Sequence, residues 1–323
     1  MKVGFDVIPK VPDGFAVRPP EDADRPAIRA LVAACGNADY GTPDEAMIEG
    51  VEMTWNKPDF VRATDAWAVL APDGRLAAYA HVGPAERAHQ YTHAFTHPDF
   101  ARGGIGSWLL AHTEEHARAR RADAPTVIGE AATLEQWIGA TNHAARELFS
   151  GAGYAEVRHF WGMVIVLEDT LVPLELPAGI TIRACQGEDD LRRAHAASEE
   201  AFRDHWHYEP RSFERFIAEE TATERYDPSL WLLAMDGDEP VGTALGEAYP
   251  VRGWINTVGV RPAWRRRGIA TALLRQTFVA FRGRGLREAA LGVDAQNPTG
   301  ATRLYERAGM RIERQYDVFE KGL

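Results

Sequence analysis

The sequence predicts a tandem of two α/β (α+β) domains, each a mixed sheet flanked by helices, and three observations carry that prediction. The chain has 323 residues, enough for about two domains. Its landmarks recur at a fixed interval: Trp67 and Trp231, like Gly104 and Gly268, stand 164 residues apart. In each half, short alternating apolar runs interleave with helical apolar stripes, a mixture that favours α/β or α+β over all-β.

The elements follow in the same order in both halves. "FAVRPPEDADRPAIRALV" from Phe15 resembles "ITIRACQGEDDLRRAHAA" from Ile180: an alternating strand, an acidic turn and a helix. "AWAVLAPDGRLAAYAHV" from Ala66 matches "LWLLAMDGDEPVGTALG" from Leu230, each a hairpin whose Asp-Gly supplies the positive φ of a tight turn. "WINTVGV" from Trp254 is a β-branched strand. "IATALLRQTFVAF" is a helix whose buried face is Ile269, Leu273, Leu274, Phe278 and Phe281. The halves end alike, on "ARELFSGAGYAEVRHFWGMVIVL" and "ATRLYERAGMRIERQYDVFEKGL", read as helix, glycine turn, strand. "EDTLVPLELPAG" between them has the prolines and glycine of a linker. The expected division is residues 1–170, a linker at 171–178, and 179–323.

Composition narrows the function. Hydrophobic residues make up 45% and charged residues 26%, an ordinary globular balance. A net charge of −11 argues against a nucleic-acid partner, and one arginine triplet is a poor footprint for a duplex. Cys35 and Cys185 form neither a C-x-x-C pair nor a disulfide framework. No apolar run reaches the ~18 residues of a membrane span, and "MKVGFDVIPKVPDGF" lacks the apolar core of a signal peptide, so the expected location is the cytoplasm.

The densest chemical signal is "VGVRPAWRRRGIATALL" from Val258. A strand, a glycine turn and a helix aim free backbone N–H groups and the positive helix end at an anion. Gly268 and the small Ala270 permit close approach, while Arg265, Arg266 and Arg267 add attraction for phosphate. The spacing is neither G-x-G-x-x-G nor G-x-x-x-x-G-K-[ST], so a dinucleotide fold is poorly supported and an NTPase P-loop is excluded.

Arg265-Arg266-Arg267-Gly268-Ile269-Ala270 resembles the Q/R-x-x-G-x-G/A motif of the GCN5-related N-acetyltransferase (GNAT) superfamily. "DAQNPTGATRLYERAGM" from Asp294 resembles the same family's second signature. The resemblance covers both halves in outline and is specific across about 55 residues of the second. It implies two tandem GNAT domains with mostly antiparallel sheets, acetyl-CoA as cofactor, and acetyl transfer to a small-molecule amine. By the same resemblance Arg266, Arg267, Gly268, Ala270 and Thr271 cradle the pyrophosphate. Val258 and Val260 face the pantetheine arm, Asn297 contacts it from the other side, and the Val260 N–H meets the thioester carbonyl. Tyr305 is the acid for the departing thiolate.

The base is harder to place. Many family members carry a glutamate six residues before the strand valine, and here that position is Trp254. By strand alternation Asn256 faces the same side, and it cannot act as a base either. Glu247, Asp204, His205 and His207 remain, and Glu247 is the favoured base or water-holder. In "AFRDHWHYEPRSF", His205 and Trp206 are expected to line the acceptor site with Asn256, and no metal is expected.

The first half keeps Gly104 and Gly106 but has Ala101 at the first motif position, and only Arg102 is basic. Phe149 stands where the second half has Tyr305, and Asn142 is one residue out of register with Asn297. His81, His89, His93 and His97 are expected to be ordinary, partly exposed histidines rather than a metal site. The sequence therefore points to a catalytic second half and a degenerate first half, in a monomer or homodimer without nucleic-acid or membrane partners. A non-catalytic acyl-CoA-binding sensor is the alternative.

Overall fold

The computed structural model describes residues 10–57, 59–83, 89–123, 132–221, 225–297 and 299–323. They form two compact units, one running to His159 and including Tyr316–Leu323, the other Phe160–Gln315.

In unit 1, β1 (Ala16–Arg18) leads into α1 (Arg25–Tyr40), α2 (Glu45–Trp55) and the short α3 (Arg62–Asp65). The meander β2 (Ala66–Leu70), β3 (Leu76–Val82) and β4 (His89–Thr96) follows. Next come α4 (Ile105–Asp123), β5 (Thr133–Gly139), α5 (His143–Gly151) and the start of β6 (Ala155–Val166). Unit 2 repeats the plan with β7 (Ile180–Ala184), α6 (Gly187–Phe202), α7 (Phe213–Glu220), β8 (Trp231–Asp236), β9 (Glu239–Ala248) and β10 (Gly253–Val260). It continues through α8 (Ile269–Gly283), β11 (Glu288–Asp294) and α9 (Ala301–Arg307) to β12 (Arg311–Gly322).

The two corners after the first strands show how closely the plan repeats. Arg18 grips Asp24 through hydrogen bonds of 2.6 and 2.8 Å, and Asp24 also accepts the Glu21 N–H. Arg183 grips Asp190 through both guanidinium nitrogens, and Asp190 accepts the Gln186 N–H. Each carboxylate is held below the usual range, foremost by its arginine. Each strand-to-helix angle is thus fixed by one bidentate pair.

Strands β1 to β4 pair antiparallel in sequence order, β4 pairs parallel with β5, and β5 pairs antiparallel with residues 316–322 of β12. In unit 2 the order is β7, β8, β9, β10, all antiparallel, then β11 parallel to β10, then residues 160–166 of β6 antiparallel to β11. The final strand of each half therefore begins in its own unit and ends in the other. The division expected at 171–178 follows the sequence repeat, whereas packing follows the strand partners. Helix α8 buries the predicted face, with Phe278 and Phe281 fully enclosed against Met163, Leu167 and Leu291. Among the described residues no helix is long and apolar enough to cross a membrane.

One polar cluster in unit 1 has a measurable consequence. His81 on β3, expected to be partly exposed, is instead fully buried because β3 is covered on its inner face; its Nδ1 is 3.1 Å from the Tyr79 hydroxyl and its Nε2 has no partner among the described residues. His93 on β4 lies beside it, ring centroids 5.1 Å apart, with Nδ1 buried and unpartnered. Burial pushes His81 well below its ordinary value and His93 down to about 4, with Lys57 opposing a charge on either. The unfolded chain then binds protons that the folded chain refuses. The associated stability is complete above about pH 6.5 and is lost on acidification at up to about 1.4 kcal/mol per pH unit for each ring. Denaturant titrations between pH 7.5 and 5.0 should show this slope, and His81→Phe should reduce it. An unchanged slope in that variant would assign the acid sensitivity to other groups.

Candidate active site

The turn after β10 is built as an anion cradle. Arg266 and Gly268 both have left-handed backbone, at φ 63° and 82°. Left-handed residues in such a turn gather successive N–H groups into a concavity that binds anions. A non-glycine residue held there costs about 1–3 kcal/mol, so Arg266 marks a conformation the surroundings impose. A Cβ on Gly268 would make only an ordinary van der Waals contact, with Pro177 Cγ at 3.7 Å. Backbone angle rather than crowding therefore demands glycine. Helix α8 begins at the next residue and adds its positive end.

The three arginines separate by role. Arg265 donates to the carbonyls of Val260 (3.2 Å) and Ala201 (2.9 Å), with Asp204 at 3.5 Å, so it ties the turn to the end of α6. Arg266 lines the cleft with Gly268, Ala270 and Thr271. Arg267 is paired with Asp236 at 3.6 Å and is not among the cleft-lining residues.

The cleft exists because β10 and β11 part company. They pair from Gly253 to Ile255 and then separate, whereas β10 stays paired with β9 as far as Val260. The Arg261 N–H reaches back to Val241 on β9. Successive strand residues point their polar groups to opposite edges, so the Val260 N–H, and Val258 two residues earlier, face the edge β11 has left. Gly259 between them lets α6 approach: a Cβ there would meet Phe202 at 2.8 Å and Ala201 at 2.9 Å.

The resulting cavity has a volume of about 860 Å³. Val258, Val260, Asn256, Asn297, His205 and Tyr305 all line it. Tyr305 on α9 is 7% exposed, and burial pushes its phenol up to about 12, so it stays protonated at neutral pH. The Asn297 Oδ1 accepts from the Thr299 N–H (2.8 Å) and hydroxyl (2.5 Å), and its amide nitrogen lies 3.4 Å from His205 Nε2.

Three expectations land differently. Asn256 falls in a register shift between Ile255 and Thr257, so alternation does not carry across from Trp254. Trp254 instead stacks on Tyr249, centroids 6.0 Å apart at 2°. Trp206 is not among the cavity-lining residues; its ring lies 6.2 Å from Phe160, which does line the cavity. Glu247 is buried on β9, with Arg225 Nε at 3.7 Å and no hydrogen-bond partner on either oxygen among the described residues. Desolvation raises its pKa, opposed mainly by Arg225 and Asn256. It is not among the cavity-lining residues. Sequence reasoning missed Phe160, Phe202 and Asp294 as lining residues.

Unit 1 has a counterpart cavity of about 710 Å³ lined by Arg102, Gly104, Gly106 and Phe149. Arg102 and Gly104 repeat the left-handed angles, at 61° and 87°. At the far end the Tyr40 hydroxyl accepts the Ala140 N–H at 2.8 Å, and a Cβ on Gly139 would strike the Tyr40 ring at 2.8 Å.

A parting pair of parallel strands, with an anion cradle at the end of the first, occurs twice in the chain. The acetyltransferase (GNAT) family model matches it twice, over residues 28–154 and 191–310. The chain belongs to the GNAT acetyltransferase family. It is 30% identical over 312 residues to a mycothiol acetyltransferase of Salinispora arenicola, covering 90% of each. Its fold matches a GCN5-related N-acetyltransferase from Sphaerobacter thermophilus with TM-score 0.83 and 40% identity over 97% of both chains. A tandem GNAT protein from the clavulanic acid pathway shares the fold at TM-score 0.72 and 15% identity, covering 95% of this chain and 98% of that one. The protein is an N-acetyltransferase that uses acetyl-CoA.

Proposed function

We propose that turnover takes place in the cavity of unit 2, and that unit 1 is a degenerate half without turnover of its own. The observation that carries this reading is the pairing of Tyr305 with Phe149. Both line equivalent cavities beside equivalent cradles, and one has a proton to give. Acetyl-CoA would lie with its phosphates on the N–H groups from Arg266 to Thr271 and its arm along Val258 and Val260, opposite Asn297. When bound it supplies an activated acetyl thioester. The Val260 N–H is aimed to stabilise oxyanion charge on the carbonyl, and Tyr305 to stabilise the departing thiolate. His205 and Asn256 would contact the acceptor directly, with Trp206 supporting the wall through Phe160. Glu247, buried on β9 with Arg225 at 3.7 Å and outside the cavity lining, would have no direct contact with the acceptor.

The acceptor is a small-molecule amine met in the cytoplasm. The name borne by the relatives makes mycothiol chemistry the first acceptor class to test, and an aminoglycoside-type amine the second. A thiol-release assay with acetyl-CoA and a panel of both classes tests the reading. In the same assay Gly104→Glu is expected to retain most of the parental turnover. If it abolished activity as fully as damage to the unit 2 cradle, without unfolding, the assignment of turnover to unit 2 alone would fail. CoA binding without thiol release from any amine would favour a sensor.

A further inference from the structure

The acceptor arrives as an ammonium ion, and the proton it must lose has no obvious destination. Trp254 cannot take one, and Glu247 does not line the cavity. Asp294 lines it, but its Oδ1 accepts the Gln296 N–H at 2.9 Å. His205 remains, and its surroundings are specific.

The two donors from Thr299 fix the Asn297 amide with its oxygen turned towards Thr299. Its nitrogen must then face His205, 3.4 Å from Nε2. Two N–H donors cannot face each other, so Nε2 carries a lone pair and the ring proton resides on Nδ1. At 3.4 Å the hydrogen bond is long and weak, so the lone pair yields readily to a better donor. The ring is held by Phe202, centroids 4.3 Å apart. The charged groups facing it are Asp294 at the end of β11, Arg265 on the turn and the adjacent Asp204. Burial is the largest influence and lowers its pKa, keeping the free imidazole neutral, while Asp294 favours the imidazolium once formed.

We propose that His205 Nε2 takes the proton of the acceptor ammonium in unit 2. The step rests on the placement of turnover in that cavity. One proton passes from nitrogen to Nε2 and later to solvent. The freed lone pair attacks the thioester carbonyl carbon, the N–C bond forms and the C–S bond breaks. The second amine proton reaches the departing sulfur by way of Tyr305. The ammonium ion and the thioester become amide and thiol, with one proton released to solvent.

The test is the pH profile of kcat/KM for His205→Gln, beside the parent and Glu247→Gln. A glutamine oxygen can still accept from Asn297 but cannot carry the proton. The parent should rise with unit slope to the His205 pKa and then stay level until the acceptor amine itself titrates. His205→Gln should lose the level region and rise continuously towards the amine pKa, with activity roughly tenfold lower at pH 7.5. That lies below the usual ~10²–10⁴ because bulk water also takes protons. Its melting temperature and CoA affinity should be parental. Added imidazole should restore part of the rate in His205→Ala. A level region retained in His205→Gln, its loss in Glu247→Gln instead, or no rescue by imidazole overturns the proposal. If unit 2 were not the site, Gly268→Glu would also leave turnover intact, which separates that failure from this one.

Discussion

Gly268→Glu is expected to reduce kcat/KM for acetyl-CoA by at least two orders of magnitude in a chain that still folds. Two effects act together. The φ of 82° is open to glycine, but a residue with a Cβ pays about 1–2 kcal/mol to hold it. If the turn relaxes instead, the N–H groups from Arg266 to Thr271 no longer converge. The carboxylate adds a like charge beside the phosphates. At about 5 Å and an effective dielectric of about 20 the repulsion is about 3 kcal/mol, or two orders of magnitude in affinity. Gly268→Ala carries the backbone penalty without the charge and should fall in between. The absence of crowding matters here, because Pro177 at 3.7 Å leaves room for a Cβ and a folding defect is not expected. A folded Gly268→Glu enzyme with parental KM for acetyl-CoA would mean that the cradle does not hold the phosphates.

This turn was the most legible part of the chain, for a physical reason. A left-handed backbone position leaves a mark in sequence because glycine tolerates it best, and Gly104 and Gly268 carry that mark 164 residues apart. The buried face of α8 was equally legible, since its helical periodicity survives packing. Long-range partners were not. Phe160 belongs to the strand that closes the first repeat, yet it lines the cavity of unit 2, and nothing in its local sequence announces that exchange. Arg265 and Arg267 look identical to Arg266 in a triplet, but a guanidinium goes wherever acceptors lie. Those acceptors, the Ala201 carbonyl and Asp236, come from distant elements. The register shift at Asn256 likewise undid an inference from strict alternation, because a bulge is set by the partner strand as much as by its own residues.

Tyr305→Phe should lower kcat by about 10² while leaving acetyl-CoA affinity nearly unchanged. The ring packs in the core of unit 2 with Leu291, Val293 and Met310, and phenylalanine preserves that packing. What is lost is the hydroxyl. Burial raises the phenol to about 12, whereas a free thiol titrates near ~8.5, so full transfer of the phenolic proton to the thiolate is uphill by about 3.5 units. Tyr305 therefore acts chiefly by donating a hydrogen bond to charge growing on sulfur, and it passes its proton on only as the second amine proton takes that proton's place. A hydrogen bond to a charged group contributes about 1.5–3 kcal/mol, and its upper end corresponds to a factor of about 10². The raised pKa also predicts the shape of the alkaline profile: no loss of rate from Tyr305 ionisation should appear through pH 10. Phe149 already makes the same exchange in unit 1, at an equally buried position beside an equally shaped cradle. Installing the hydroxyl there by Phe149→Tyr should not create turnover by itself, because Tyr40 still covers Gly139. If Tyr305→Phe instead turned over acetyl-CoA at the parental rate, the hydroxyl would have no part in thiolate departure and the ring would be a packing residue in both units.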